Sequence, residues 1–502
     1  MARSSVTFEL GGRRDRPLYL QIAHAVIEAV RAGRLASGDA LPGTRQLAAE
    51  LGVHRNTVKT AYAELAAQGW VKTRAASGTF ISPDPPDLTD LPPPGELEGS
   101  GRVGFDLFSI DLPLEDAWAE DLAGARLAFV GIDPSLMPVK ALARAYRHAL
   151  TTRSANLLGY RPGRGHPQLL AALRAMIAGS RGIPGDRGLL VTRGSQMALS
   201  LVVQALLRPG DGVAIEDPGY AFCWPTFRLA GARLFPVSVD SQGLDVAGLE
   251  RLVEREPIRA VLVTPHLHYP TGVRLCPRRR AALLELAERR RLIIIEDDWV
   301  NDVRYAGPPQ LALASVDTVG VVLYLGSFSK LFAPSLRLGY VAGPEPVIDR
   351  LARLRPLIDV CGDSVLEAAM AELLEDGEVE RHMRRLTRTY QARRDALMEA
   401  LDAELAGVVR FDPPQSGSAL WVQVDPDVDV EAWARESRAR GVAFLTGRHF
   451  FFDQRPHASL WLSFAGLAQE DLWTAVRGMA EGLTQLRSHR PRGPRRPKSP
   501  GG

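Results

Sequence analysis

The sequence predicts an α/β protein with two domains: a small helical domain at the N-terminus and a large α/β domain whose strands run mostly parallel. Three observations support this prediction. The chain has 502 residues, which is too many for one hydrophobic core. Residues 16–82 contain three helical patterns followed by two short strands. Between about residues 104 and 486, short apolar strands alternate with amphipathic helices, as they do in largely parallel sheets.

Composition divides the chain into four consecutive segments. We assign the N-terminal domain to residues 1–82 and the large α/β domain to residues 104–486. Residues 83–103 are rich in proline and acidic residues, which predicts an extended, semi-rigid linker. Residues 487–502 are basic and rich in proline and glycine, which predicts a disordered tail.

The net charge of +3 is distributed unevenly along the chain. Residues 1–82 contain eleven basic and six acidic residues, and residues 487–502 contain six basic residues and no acidic residue. The remaining part therefore carries a net negative charge. A basic module attached to a mildly acidic body indicates that one end of the protein meets a polyanion.

Cysteine usage and hydropathy predict a cytoplasmic protein. The three cysteines (Cys223, Cys276 and Cys361) are far apart and lack the spacing of metal ligands. This usage fits a reducing compartment and predicts neither disulfides nor a metal site. No apolar run is long enough to span a bilayer, and the first residues lack the apolar core of a secretory signal. We therefore expect no membrane association.

Residues 16–82 fit a helix-turn-helix followed by a small β-wing. An apolar stripe on the first helix is formed by Leu18, Ile22, Val26, Ile27 and Val30. Thr44 is expected to cap the second helix, and the third helix, RNTVKTAYAELAAQG, follows after one short turn. In a helix-turn-helix the second helix of the pair enters the major groove of DNA. A three-helix pattern alone also fits a helical domain that binds another protein.

Specific strings favour DNA over a protein partner. Residues 17–82 resemble the GntR-type winged helix: its LPSSR is LPGTR here, its VSRNTV is VHRNTV, and its RxGSGTFV is RAASGTFI. The resemblance implies double-stranded DNA as a partner. His54 and Ala76 replace the usual small residues, so the operator sequence does not carry over. The candidate DNA-binding residues are Arg45, His54, Arg55, Asn56, Thr57, Lys59, Lys72 and Arg74.

One lysine stands out in the large domain. Lys330 is the only lysine between Lys140 and Lys498, and it follows the apolar strand VVLYLGS in the string GSFSKLFAPSLRLGYVAG. An average lysine is a surface residue, but this one lies among Ser, Phe and Leu. A lysine of this kind is what a pyridoxal 5′-phosphate (PLP) site needs for its imine.

Two further strings supply the other groups that PLP requires. In LIIIEDDWVNDVRY an apolar strand runs into Glu296, Asp297 and Asp298, and carboxylates at such a strand end lie where α/β sheets bind ligands. Asp297 is our choice for the pyridine nitrogen, whereas Asp298 also fits a helix N-cap. The string VTRGSQMAL places a glycine turn before a helix start, where exposed amides can hold phosphate.

Together these strings resemble the fold-type I aminotransferases, and specifically the MocR/GabR regulators, over nearly the whole chain. The resemblance implies a large PLP-dependent transferase domain with a smaller C-terminal α+β subdomain. It implies that Lys330 forms the imine, that Asp297 holds the pyridine nitrogen and that Tyr220 stacks on the ring. The residues implied around the phosphate are Ser195, Gln196, Ser327 and Arg337, joined by Tyr160 from the partner subunit of a homodimer.

Three positions depart from the aminotransferase pattern. Tyr269 stands where many aminotransferases carry an asparagine that contacts the cofactor hydroxyl, and Trp299 replaces a tyrosine that bonds the same hydroxyl. Trp461, in WLSF, replaces the arginine that grips the substrate carboxylate with two parallel hydrogen bonds. Arg448 and Arg455 are the alternative arginines for that grip.

Two functions fit these features. The first is a DNA-binding regulator whose aminotransferase-like domain senses PLP or a small amine or amino-acid effector. The second is a working PLP-dependent aminotransferase with an accessory DNA-binding domain. The fused N-terminal domain and Trp461 favour the regulator, and Trp461 predicts an effector other than a common α-amino acid. His266 and His268, near the cofactor loop, are expected at the surface, and a titratable contact with the ligand is the alternative.

Overall fold

The computed structural model describes residues 8, 17–74, 77–86, 127–128, 132–160, 163–299, 303–307, 310–330 and 332–489. The chain divides into two compact units, Met1–Ile110 and Asp111–Gly502, and each is described here by itself. Most of the predicted linker, the tip of the predicted wing and almost all of the predicted tail lie outside the described residues. The segment limits inferred from composition therefore stay predictions.

The N-terminal unit consists of three helices and a two-stranded antiparallel sheet. Its elements are α1 (Leu18–Arg31), α2 (Thr44–Glu50), α3 (Arg55–Ala67), β1 (Val71–Arg74) and β2 (Gly78–Ile81). Its core contains the predicted Ile22, Val26 and Ile27. Leu18 is 49% exposed because it is the first residue of α1 and does not reach the core, so its place in the stripe was wrong.

Thr44 does not cap α2, contrary to the sequence prediction. The N-cap is Gly43, which offers no side chain, and Thr44 is the first helical residue. The Thr44 hydroxyl instead accepts a hydrogen bond from Arg55 Nε at 3.4 Å, which joins the two helices of the helix-turn-helix.

The larger unit is built around an eight-stranded mixed sheet. Its strands are β3 (Gly188–Thr192), β4 (Gly212–Asp217), β5 (Arg233–Asp240), β6 (Gly243–Leu244), β7 (Ile258–Val263), β8 (Ile293–Asp298), β9 (Val322–Ser327) and β10 (Gly339–Gly343). They lie in the order β3-β10-β9-β8-β7-β4-β5-β6. Strands β9, β8, β7, β4 and β5 are parallel, as predicted. Strand β10 is antiparallel to both of its neighbours.

Helices cover both faces of this sheet. Those of the larger unit, before its C-terminal part, are α4 (Val139–Leu157), α5 (Pro167–Arg181), α6 (Gly194–Leu206), α7 (Trp224–Leu229), α8 (Val246–Arg255), α9 (Pro277–Arg290), α10 (Glu345–Leu354), α11 (Pro356–Asp359) and α12 (Ser364–Glu375). Because successive side chains of a strand point to opposite faces, Ile294 of β8 joins one core and Ile295 the other. The same alternation directs the Asp297 side chain to one face of the sheet and the side chains of Glu296 and Asp298 to the other.

The C-terminal part of the larger unit is a smaller α+β subdomain, which confirms the prediction. Its antiparallel strands are β11 (Val409–Phe411), β12 (Ala419–Val424), β13 (Leu445–Thr446) and β14 (Ser459–Ser463), in the order β11-β12-β14-β13. Its helices are α13 (Glu378–Glu404), α14 (Val430–Arg438) and α15 (Gln469–His489). None of the helices in the described ranges has the length and apolar character that crossing a bilayer requires.

Candidate functional site

The predicted site residues of the larger unit meet at one edge of the eight-stranded sheet. Strands β4, β7, β8 and β9 are parallel neighbours, so their carboxyl ends lie together. Tyr220, Tyr269, Asp297 and Lys330 lie at or just beyond these four ends. Strand β3 points the same way as β9 because β10 is antiparallel to both, which brings Gly194 to this edge. Ligand sites of open α/β sheets lie at such edges.

Asp297 differs from its two acidic neighbours in its hydrogen bonds. Glu296 accepts from the amides of Leu313 (2.7 Å) and Ala314 (3.0 Å) and lies 3.0 Å from His266 Nε2. Asp297 Oδ1 is buried and has no hydrogen-bond partner within the part of the chain that the structure describes. An unpaired buried carboxylate oxygen is costly, so this atom is positioned for a group that the protein itself does not provide.

Asp298 has a structural role, and its possible N-cap role stays a prediction because residues 300–302 lie outside the described residues. It accepts hydrogen bonds from Arg181 Nε at 2.7 Å and from the Tyr324 hydroxyl. Burial raises the pKa of Asp298, but the Arg181 guanidinium, His266 and the Tyr324 hydroxyl together hold the pKa below its ordinary value. The choice of Asp297 among the three carboxylates therefore has a geometric basis.

The environment of Asp297 favours a positively charged partner. Burial, and then the neighbouring charge of Asp298, raises the pKa of Asp297 to about 7. Burial also raises the pKa of Glu216 to about 8, with Asp297 adding to the effect. A cation placed against Asp297 would restore its ionised form, because opposite charges at short range lower a carboxyl pKa.

Lys330 is partly buried and lies three residues beyond the end of β9. Burial, and then the charge of Arg337, lowers its pKa to about 8. A lowered pKa increases the fraction of neutral amine, which is the form that attacks a carbonyl carbon. Buried Phe328 and Phe332 flank the residue, so it does not fit the surface alternative.

An anion cradle, formed by Gly194, Ser195, Ser327, Ser329 and Arg337, lies beside Lys330. Helix α6 begins at Gly194, whose φ of +81° disfavours other residues. The first amides of a helix have no acceptor within the helix and can hold an anion. Arg337 donates to Arg193 O at 3.2 Å and to Ser329 Oγ at 3.3 Å. A Cβ on Gly194 would lie 2.6 Å from Arg337 Nη2, so a side chain there would displace the guanidinium.

Two of the predicted phosphate contacts take a different form. Gln196 Nε2 donates one of its two N–H groups to Thr226 Oγ1 at 2.6 Å, which directs the side-chain amide toward α7. Ser327 Oγ accepts from the Ser329 amide at 3.2 Å. Ser329 itself was not singled out from the sequence, although the SFSK spacing places it between two predicted residues.

The three positions that depart from the aminotransferase pattern meet in one aromatic cluster. The Tyr269 ring contacts those of Tyr220 (5.4 Å), Trp299 (5.2 Å), Phe450 (5.6 Å) and Trp461 (6.0 Å between centroids). Trp421 extends the cluster through Phe450 at 5.5 Å. We call Tyr269, Trp299, Trp421, Phe450 and Trp461 the aromatic wall. Phe450 and Trp421 were missed because nothing local in the sequence connects them with the site.

The polar atoms of the aromatic wall differ in whether they have a hydrogen-bond partner. Trp299 Nε1 donates to Leu267 O at 2.8 Å, so its N–H is already engaged. The Tyr269 hydroxyl is buried and has no hydrogen-bond partner among the described residues. Burial, together with the nearby Tyr220, raises the pKa of Tyr269. Tyr269 thus keeps a neutral hydroxyl that is available to a ligand at this edge.

His266 and His268 are buried rather than on the surface, which corrects the sequence expectation. They are 3% and 2% exposed. His266 Nε2 faces Glu296, and His268 Nδ1 lies 2.7 Å from Thr271 Oγ1. Burial lowers the pKa of His268 to about 3, which keeps it neutral at physiological pH. His266 lies against Glu296 of β8, and His268 lies against Glu216 of β4. The loop sequence itself does not reveal that these two rings are buried.

The remaining predicted residues of the larger unit are Arg448, Arg455 and Tyr160. Arg448 forms an ion pair with Glu431 at 3.2 Å, and Arg455 is exposed. Tyr160 is 84% exposed and makes no ring contact with the cluster among the described residues. A role for Tyr160 at the phosphate therefore needs a second subunit.

The predicted DNA-binding residues form a mostly exposed polar surface on the N-terminal unit. Thr57 is half-buried, and the others, namely Arg45, His54, Arg55, Asn56, Lys59, Lys72 and Arg74, are exposed. His54 also caps α3, because its Nδ1 accepts from the Asn56 amide at 3.2 Å. Arg74 lies over the Phe80 ring at 5.3 Å, which orients it on the wing. The start of α3 and the wing therefore present basic groups to solvent.

Two families match this chain, one for each unit. Residues 133–478 match aminotransferase class I and II, and residues 18–81 match the bacterial regulatory proteins of the gntR family. The chain is 30% identical over 478 residues to the probable rhizopine catabolism regulatory protein MocR of Rhizobium meliloti, covering 94% of each chain. It is 31% identical over 499 residues to the HTH-type transcriptional regulator TauR of Rhodobacter capsulatus, covering 96% of this chain and 100% of the relative.

The larger unit is also similar to a solved aminotransferase. This is LysN, an α-aminoadipate aminotransferase of Thermus thermophilus complexed with N-(5′-phosphopyridoxyl)-L-leucine. The TM-score is 0.68 at 28% sequence identity, and the match covers 75% of this chain and 96% of that one. With a gntR-type DNA-binding domain joined to an aminotransferase-like domain, and with similarity to named regulators along its length, the chain belongs to the aminotransferase class I and II family and to the MocR-type transcriptional regulators of the gntR family.

Proposed function

We propose that this regulator binds PLP on Lys330 and that a small-molecule effector, bound beside PLP, changes its affinity for promoter DNA. The observation that carries the proposal is the buried, unpartnered Oδ1 of Asp297 between two fully engaged carboxylates. A protonated pyridine nitrogen is a cation that would donate a hydrogen bond to this atom and pair with its charge. PLP supplies that ring and an aldehyde that bonds covalently to amines.

Each of the chain's groups has a distinct part in holding PLP. Lys330 would attach the cofactor, and its lowered pKa makes the neutral amine available near pH 8. The anion cradle would hold the phosphate through the first amides of α6 and the Arg337 guanidinium. Tyr220 would cover the ring. The Tyr269 hydroxyl, buried and unpartnered, would donate to the ring oxygen that asparagine contacts in aminotransferases.

Exposed apolar side chains beside the cradle support a homodimer. The segment that contains Tyr160 and the segment around Leu357 both border β3, since Val191 N–H donates to Arg164 O (2.7 Å) and Arg193 pairs with Asp359 (3.2 Å). The exposed apolar residues of these segments are Leu158, Tyr160, Leu357, Ile358 and Val360. A second subunit would cover them and bring Tyr160 to the partner's phosphate.

We further propose that residues 1–82 bind double-stranded DNA through the start of α3 and the wing, with residues 104–486 as the effector-binding domain. Two such units in a homodimer would contact two half-sites. The proposed place of action is the cytoplasm, where the DNA is. A working aminotransferase with an accessory DNA-binding domain is the alternative. The named relatives that share both domains are regulators, which favours the first function.

The direct test combines absorbance with mass. Full-length protein is loaded with PLP, and its near-visible spectrum is recorded before and after borohydride reduction. Reduction is expected to fix one cofactor per chain on unmodified protein and on Lys140→Ala, whose lysine lies on α4. Lys330→Ala is expected to show neither the shifted absorbance nor the added mass. Equal labelling of Lys330→Ala would contradict the assignment.

A further inference from the structure

The aromatic wall is the most apolar boundary of the proposed ligand site. Phe450, Trp461 and Tyr269 are 0%, 2% and 4% exposed. Tyr269 links the wall to the site, because its ring lies edge-on to Tyr220 at 5.4 Å. The side of the site that faces β14 and the Phe450 segment is therefore made of rings and contains little polar surface.

Positive charge is directed away from this wall. Arg337 donates to Arg193 O and Ser329 Oγ on the cradle side. Arg448 pairs with Glu431. The carboxyls near the site include those of Asp297 and Glu216, and the charge of Asp297 raises the pKa of Glu216.

This distribution discriminates between ligand charges. A carboxylate against the wall would lose its water and find no guanidinium, and the indole of Trp461 offers at most one N–H. An aromatic or other apolar substituent at the same place would bury its surface and gain edge-to-face contacts. The wall therefore disfavours an acidic substituent on the carbon next to the amine and favours an apolar one.

One residue of the wall, Trp421, borders a cleft that is lined by residues of both sheets of the larger unit. The cleft has a volume of about 860 Å³, and Trp421 of the wall lines it together with Thr271 and Phe451. Arg274 and Arg410 line another part of the cleft. A carboxylate several bonds away from the amine is therefore a separate case, since it would extend beyond the wall.

We infer that the effector is a primary amine that carries an aromatic or other apolar substituent and no carboxylate on the amine-bearing carbon. This inference rests on the proposed function, because it places the ligand beside PLP on Lys330. Trp461 alone predicted only that the effector is not a common α-amino acid. The inference adds that the ligand carries an apolar substituent, which it places against a wall of five aromatic side chains.

Two ligands that differ only in the carboxylate test the inference. PLP-loaded full-length protein is titrated with 2-phenylethylamine and with L-phenylalanine, and the absorbance of bound cofactor is followed. The affinity for a labelled fragment of its own promoter is measured in parallel. We expect the amine to act at a concentration at least about tenfold lower than the amino acid. Equal action, or stronger action of L-phenylalanine, would overturn the inference.

A third ligand and two variants sharpen the result. Selective action of 5-aminopentanoate would also overturn the inference and would point to the arginines of the cleft. Trp461→Arg is expected to reverse the preference toward L-phenylalanine, whereas Trp473→Arg, on helix α15 and outside the wall, is expected to leave it unchanged. If Trp461→Arg does not fold, the ligand pair on unmodified protein still decides. Absent cofactor absorbance counts against the proposed function, whereas bound PLP with a preference for L-phenylalanine counts only against this inference.

Discussion

Asp297 and Asp298 are consecutive residues of β8 with opposite surroundings. Asp298 Oδ2 lies 2.7 Å from Arg181 Nε, whereas Asp297 Oδ1 is buried without a hydrogen-bond partner among the described residues. The alternation of a strand turns the two carboxylates to opposite faces of the sheet. The same residue type therefore stabilises the fold at one position and remains available to a ligand at the next.

This difference predicts separate effects for two matched substitutions. Asp297→Asn is expected to weaken PLP binding about tenfold or more, because the neutral amide no longer stabilises a charged ring. Asp298→Asn leaves Arg181 without its anion, and breaking such a buried pair costs about 3–5 kcal/mol of unfolding free energy. PLP titration by absorbance and thermal unfolding without PLP measure the two effects. Unchanged PLP affinity in Asp297→Asn would move the role to another group.

The raised pKa of Asp297 predicts how stability changes with pH in the cofactor-free protein. The folded state holds this proton up to about pH 7, whereas the unfolded chain releases it near the ordinary value for aspartate. Its contribution is therefore complete at acidic pH and is lost as the pH rises toward 7. From pH 5 to pH 8, Asp297→Asn should gain about 1–3 kcal/mol relative to unmodified protein.

Urea unfolding at the two pH values measures this gain. Asp186→Asn, which changes an exposed carboxylate, is the control and should show no such gain. Glu216 changes stability in the same direction, since its pKa is also raised, but it is present in every variant compared. A constant difference between Asp297→Asn and unmodified protein at both pH values would show that Asp297 is ionised throughout.

Arg55 is expected to contribute directly to DNA binding. It is exposed at the start of α3, and Arg55 Nε lies 3.4 Å from Thr44 Oγ1, which orients its side chain beside α2. Arg55→Ala should cost about 1–3 kcal/mol if the guanidinium reads a base edge. Fluorescence anisotropy with the promoter fragment measures the loss. Arg31→Ala, at the end of α1, should bind like unmodified protein, and equal losses in both would indicate a general charge effect.

Tyr160 is expected to act on the partner's site in a homodimer. Its 84% exposure leaves it free to reach a second subunit, so Tyr160→Ala should weaken PLP binding although Lys330 is intact. Mixed dimers of Tyr160→Ala and Lys330→Ala should regain one competent site, because one chain supplies Lys330 and the other Tyr160. Absorbance after subunit exchange measures the recovery, and its absence would place Tyr160 outside the phosphate site.

Local patterns in the sequence were sufficient for much of this architecture. Short apolar strands and their flanking residues were enough to predict the parallel part of the sheet. They also predicted Lys330 after β9 and the carboxylates at the end of β8. The sequence alone did not connect Asp298 with Arg181, because the two residues are far apart in the chain. Strand alternation shows that the two aspartates differ, but only the fold shows which of them has a partner.

The aromatic wall was beyond sequence reasoning for a different reason. Tyr269, Trp299 and Trp461 were recognised as separate departures, each at its own position. Their contacts depend on how the C-terminal strands pack on the large sheet, which is a tertiary property. The histidines of the loop after β7 were misjudged for the same reason, since a buried His–Glu contact leaves no local pattern in the sequence.

The position of β10 has a consequence for how the protein loses its cofactor. Gly339 of β10 pairs with Thr192 on one side and with Ser327 on the other, so this strand alone sets the spacing between the two halves of the cradle. A Cβ there would meet Gly194 at 2.8 Å, which shows how close the three segments are. If β10 detached, the cradle would open while the parallel strands stayed paired. Release of PLP on heating would then precede loss of the parallel sheet and report the detachment of one strand.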